Sequence, residues 1–166
     1  MKKQKGFSLI ELLIVVAIIL IIAAIAIPNL LRAKIAANES SAVGSVRTIG
    51  TAEVTYQSSW NIGYAVAIAN LGGPPPCTAA TAALACLIDP LLSTGALTKS
   101  GYVFAAVGGL PDAAGNLQGF EINATPSTVQ VTGVRAFCAD QTGVIRFVSP
   151  GAAAIGTAAG TCAAVP

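Results

Sequence analysis

An almost unbroken run of apolar side chains, FSLIELLIVVAIILIIAAIAIPNLL, occupies residues 7–31, and Glu11 is its only charged member. At 1.5 Å of rise per residue such a stretch makes a helix about 37 Å long, more than the ~30 Å hydrocarbon thickness of a bilayer. The pattern predicts a membrane-spanning helix. Beyond Arg32 it changes, because Val46, Ile49, Ala52, Tyr56 and Trp60 recur every three or four positions, the spacing of an amphipathic helix. Glu39, Ser40, Arg47, Thr51 and Thr55 fall mostly off that stripe. One continuous helix is therefore expected to about Ser59, with residues 7–31 as its apolar half and residues 32–60 as an amphipathic half docked on a globular head. Gly44 and Gly50 lie inside it, each at a cost of about 1 kcal/mol relative to Ala.

Residues 61–100 read as a connector broken by Gly72-Gly73-Pro74-Pro75-Pro76, a strong loop signal. A short helix is expected within it over about 78–84. Residues 101–166 carry strand signals over 102–107, 117–124, 128–136 and 144–148, where Phe120 and Ile122 alternate with Glu121 and Asn123. An antiparallel meander whose apolar face covers the Val46, Ile49 and Tyr56 stripe follows, so the fold class is α+β, one sheet on one long helix. Asp140-Gln141-Thr142-Gly143 has the composition of a hairpin turn and places Asp140 within reach of Arg146.

Composition and charge narrow the function. The chain has 166 residues, 54% of them hydrophobic and 10% charged, with a formal net charge of +2 and a mean hydropathy of +0.75. Lys2, Lys3 and Lys5 supply three of its nine cations, so everything after them holds six cations against seven acids. No basic face is left for nucleic acid, and at 5% aromatics there is little to stack bases on. The absence of histidine removes the commonest general acid–base group. Asp89, Asp112, Glu121 and Asp140 are scattered and fit no nucleophile or metal motif. They read as solvated loop charges, and neither an enzyme nor a cofactor is expected.

The apolar run is too long for a secretory signal, although Ala24-Ile25-Ala26 imitates a cleavage site. A plain anchor helix would give no reason for Glu11. Lys5-Gly6-Phe7-Ser8-Leu9-Ile10-Glu11-Leu12-Leu13-Ile14-Val15-Val16-Ala17-Ile18, followed by Ile27-Pro28, resembles the class III signal and first helix of a type IV pilin. The resemblance covers residues 1–34. It implies that residues 1–6 are a leader, that a prepilin peptidase cuts after Gly6 and that the new amine of Phe7 is methylated. It further implies a single-pass precursor in the inner membrane, an energy-driven assembly machinery, and a helical homo-oligomer that emerges as an extracellular filament. A pseudopilin of a type II secretion system is the alternative that this motif leaves open. The positive-inside comparison, Lys2, Lys3 and Lys5 against Arg32 and Lys34, leans toward a cytoplasmic N-terminus.

The side chains supply a chemistry for assembly. A carboxylate inside a membrane costs roughly 2.5–3.5 kcal/mol at mid-depth and asks for a partner. Cleavage makes one, since the amine of Phe7 is cationic with or without methylation, and Glu11 lies four positions along on the same helix face. In a staggered bundle Glu11 of one subunit meets the Phe7 amine of the next. The plainer alternative is that Glu11 complements its own helix dipole, worth about 0.3–1 kcal/mol. Pro28 removes an amide donor and is expected to kink the helix or melt it locally.

Cys77, Cys86, Cys138 and Cys162 include no C-x-x-C pair, which argues against zinc, and no metal is expected. An even count in a head exported to an oxidising compartment favours disulfides, with three connectivities open. Proximity in sequence favours Cys77 with Cys86 and Cys138 with Cys162, and the second pair would resemble the disulfide-bounded C-terminal region of many pilins. Asn38-Glu39-Ser40 and Asn123-Ala124-Thr125 match the short glycosylation pattern.

Overall fold

A computed structural model describes residues 7–94 and 97–166. Helix α1, Leu9–Trp60, runs through two compact units, residues 1–34 and residues 35–166. In the first unit α1 is helical through Pro28, and the side chains of Leu9, Ile10 and Leu12 through Ile22 are almost all exposed. Among the described residues this is the helix long and apolar enough to cross a membrane.

In the second unit, α1 presents Ala42, Val46, Ile49, Ala52 and Tyr56 to the core. They meet a five-stranded antiparallel meander of β1 Thr98–Lys99, β2 Tyr102–Pro111, β3 Leu117–Pro126, β4 Ala136–Asp140 and β5 Ile145–Val148, in that order. The register pairs Phe104 with Ala124, Ile122 with Ala139 and Phe137 with Phe147. Phe104, Ala106, Phe120, Ile122, Ala124, Phe137 and Ala139 thus share one buried cluster with the α1 stripe, because side chains two apart lie on one face of a strand. Close approach at Gly50 brings the site of a Cβ to 3.6 Å from Ile122. The α+β fold, helix on antiparallel sheet, is the one the patterning implies.

The helix expected over 78–84 does not form. Cys77 and Cys86 are joined with their Cα atoms 6.2 Å apart, whereas nine helical steps would separate them by about 13 Å. Thr81 and Leu84 instead exchange backbone hydrogen bonds at 3.0 Å in a tight turn. The connector's helices are α2, Ile68–Leu71, and α3, Pro90–Ser93, the latter capped by Asp89 Oδ1 accepting the Leu91 N–H at 2.8 Å.

The strand expected over 128–136 is also replaced, by a looped turn that becomes β4 only at Ala136. The Thr132 hydroxyl donates to Thr128 O at 3.0 Å and accepts the Thr128 N–H, while Gln130 takes a positive φ of 65°. The N–H groups of Val134 and Arg135 go to the Glu39 carboxylate rather than to a neighbouring strand. Gly133 permits this, since a Cβ there would fall 2.0 Å from the hydroxyl of the fully buried Tyr102. Replacing Gly133 by Ala should cost the head about 2 kcal/mol through overpacking, read as a lower urea midpoint with an unchanged slope.

The hairpin at Asp140–Gly143 forms, with Gly143 at φ 75°. Asp140 does not meet Arg146: its Oδ1 accepts the Thr142 N–H at 2.9 Å and the Thr142 hydroxyl. Arg146 donates to Val165 O at 3.4 Å.

Candidate assembly site

Phe7 and Ser8 precede the first turn of α1, which opens with the Leu12 N–H on Ser8 O at 3.2 Å. Glu11 Oε2 accepts the Ser8 N–H at 2.9 Å, so within one chain the carboxylate satisfies a donor that a helix start leaves open. Phe7 is 76% exposed. Leu9, Leu12, Leu13, Val16, Ala17 and Leu20 line a shallow, almost wholly apolar groove on the same segment. A free apolar stripe of this kind needs lipid or another helix against it. Gly6, like Lys2, Lys3 and Lys5, lies outside the described residues.

The family model of the prokaryotic N-terminal methylation motif matches residues 1–27. Over 40 residues the chain is 62% identical to the type IV wide pilus major component PilA4 of Thermus thermophilus, a match covering 24% of this chain and 30% of that protein. Over 56 residues it is 45% identical to the type IV major pilin protein PilA of Myxococcus xanthus, covering 34% of this chain and 26% of that one. The matches thus span less than a third of either relative's length. The chain carries an N-terminal methylation motif and is similar, over 40 to 56 residues, to two type IV pilins. No solved structure matches it.

The head holds its cysteines as two disulfides, Cys77–Cys86 and Cys138–Cys162. The second ties the C-terminal region to β4 with Cα atoms 5.8 Å apart. That region covers the outer face of the sheet, where Glu121, Asn123 and Asp140 are all at least 95% buried. Glu121 Oε2 accepts the Cys162 N–H at 3.1 Å, and Asn123 Nδ2 donates to Gly156 O at 3.3 Å. Alternation along β3 hid this, because a polar residue opposite a core face reads as solvent-facing whether water or a later segment covers it. Burial pushes the Glu121 carboxyl up, with the charge of Asp140 adding to it and tail N–H groups opposing.

Glu39 likewise is not a solvated helix charge. It is 6% exposed, with Oε1 accepting the Val134 and Arg135 N–H groups at 2.9 and 3.1 Å, and Oε2 accepting Arg135 Nε at 2.9 Å and Nη2 at 2.6 Å. Burial alone would raise its carboxyl, but the Arg135 side chain and the two backbone donors outweigh that and hold it below the ordinary value. Arg135 in turn sits 5.6 and 5.1 Å from the ring centres of Phe137 and Phe147. Tyr102 donates to Arg135 O at 2.8 Å, and burial reinforced by the Glu39 charge pushes its phenol up to about 12.

Of the two glycosylation patterns, Asn123 is buried at 5% exposure, while Asn38 is half-buried and its Nδ2 donates to Thr132 O at 2.8 Å. A groove of about 400 Å³ lies between α1 and the β4–β5 hairpin, lined by Val46, Arg47, Val54, Phe120, Asp140 and Gln141. Asp140 is occupied by Thr142, so no acid–base pair converges there. Among the described residues no group of three or more His, Cys, Asp or Glu could hold a metal.

Proposed function

We propose that this chain is the structural subunit of a type IV pilus and not an enzyme. Prepilin peptidase cuts the precursor after Gly6, the Phe7 amine is methylated, and the inner membrane holds the subunit through α1 until machinery draws it into a surface filament. The observation that carries this reading is Glu11, an acid set four positions from Phe7 in an otherwise uncharged span. In the membrane-borne subunit its bond to Ser8 satisfies a helix-start donor but leaves the negative charge unneutralised. In the polymer the Phe7 amine of an adjacent subunit neutralises it.

Repetition of this heterologous contact without ring closure generates an open helical fibre. Burial of the exposed apolar face of α1 against sister helices accompanies it. The Cys138–Cys162 bridge around the C-terminal region weighs toward a pilus over a pseudopilus. Electron microscopy of wild-type cells and cells lacking this chain is the test. Long surface fibres should vanish with the deletion and return with the complementing copy. Identical fibres in both strains would refute the subunit role, and a secretion defect without any change in fibres would assign the chain to a pseudopilus.

A further inference from the structure

Glu53 is 0% exposed in the head portion of α1. Its Oε2 accepts the Ala65 N–H at 2.9 Å, and its Oε1 has no partner among the described residues. No Lys or Arg among them lies within ion-pair distance of it. On α1 the titratable neighbour is Tyr56, pushed up by burial and then by the Glu53 charge, with its hydroxyl on Ala82 O at 2.7 Å.

Glu53 holds residues 61–67, a strap laid across the ends of β2 and β3. Gly63 bridges Leu117 and Ala67 bridges Val107. Tyr64 N donates to Leu117 O at 2.9 Å, Gly108 N to Val66 O at 3.1 Å, and the Tyr64 ring meets Phe120 edge-on at 4.9 Å. The strap adds the titratable Tyr64 and no charge, and the strand ends it crosses, 107–109 and 117–120, carry none. The fit is close: a Cβ on Gly63 would fall 2.5 Å from Leu117 O, and one on Gly108 2.5 Å from Ala65 O.

A carboxylate removed from water with one N–H donor and one bare oxygen is poorly stabilised, whereas a neutral carboxyl is tolerated in the same place. We propose that Glu53 is a protonation-controlled tie, holding strap 61–67 against α1 and the β2–β3 ends as the neutral acid and releasing it on ionisation, when the carboxylate gains water. Burial, partly opposed by the Ala65 N–H, pushes this carboxyl from 4.5 up to about 7. A group raised in the closed state favours closure at low pH and progressively loses that advantage as the pH rises from the ordinary carboxyl value through 7.

Hydrogen exchange on the full chain in detergent micelles tests this. Protection factors at Tyr64, Ala65 and Gly108 are compared with those at the core amides of Ile122 and Ala139. Between pH 5.5 and 8.5 strap protection should fall on the order of 30-fold relative to the core, and Glu53→Gln should remove the pH dependence. Flat strap protection in the unmutated chain, a loss shared equally by the core, or the same loss in Glu53→Gln would overturn the proposal. Titration of the Glu53 carboxyl carbon in the unmutated chain is a second reading: a midpoint well above 4.5 supports the tie, and an ordinary midpoint overturns it.

Discussion

Replacing Glu11 by Ala should abolish surface fibres while leaving cleavage after Gly6 intact. On the proposed pairing, the variant leaves the Phe7 amine of the adjacent subunit unpaired in an apolar filament core. Losing one partner of a desolvated charge pair costs about 2–5 kcal/mol, which is ~30-fold or more in the association constant of every contact along the fibre. The loss is propagated at each addition, so polymer yield falls much further than a single contact implies. Glu11→Gln keeps the shape and the capacity to accept the Ser8 N–H, yet it should fail in the same way because it lacks the charge. Quantifying sheared fibres by gel, beside the processed and unprocessed subunit in membranes, separates assembly from maturation. Normal fibre yield in both variants would remove the inter-subunit pairing, and recovery in Glu11→Gln alone would assign Glu11 to capping its own helix.

Glu39→Ala should cost the head about 3 kcal/mol at neutral pH. The Arg135 side chain is 43% exposed, so water screens its part of the ion pair. Most of the loss comes from the Val134 and Arg135 N–H groups, left without an acceptor where the loop packs on α1. A head whose total stability is on the order of 5–15 kcal/mol would feel that change strongly. The effect carries a pH signature. Because the Glu39 carboxyl is held below its usual 4.5 in the fold, the charge-dependent part of its contribution is fully present above that value and is lost as the pH falls through the folded one. Urea titrations at pH 7 and pH 3 should therefore show a gap between the unmutated chain and Glu39→Ala that narrows in acid, the part carried by the two N–H bonds persisting. A gap of the same size at both pH values would contradict the charge-based role.

Glu39, Glu53 and Glu121 share the property that separates the sequence reading from the structure. Each is an acid buried by a segment remote in sequence: the loop at 134–135, the strap at 61–67 and the tail around Cys162. Alternation places Glu121 on a polar face, whereas Glu53, four after Ile49 and three before Tyr56, lies on the apolar stripe itself. Amphipathic periodicity reports which face of an element is apolar. It does not report whether the polar face is later covered, because that depends on where distant loops return. The misread strand at 128–136 has the same origin. Its Thr, Val and Ala content suits a strand, but Glu39 captures its backbone donors and Tyr102 fills the space beside Gly133. The helix misplaced at 78–84 failed for a different reason, since closure of the Cys77–Cys86 loop leaves no room for helical rise.

The sequence by itself determined the features encoded by contiguous residues: the long apolar helix with its isolated Glu11, the methylation motif over residues 1–27, the α1 stripe that docks on the sheet, and the hairpin at Gly143. These follow from local backbone preference and from periodicities of 3.6 and 2 residues, which a chain carries without reference to its folded partners. Only the tertiary structure decided which acids are buried, which backbone donors they accept and how the connector and tail wrap the sheet. Those outcomes depend on pairing groups 12 to 96 positions apart, where the free energy of removing an acid from water is set by what meets it there.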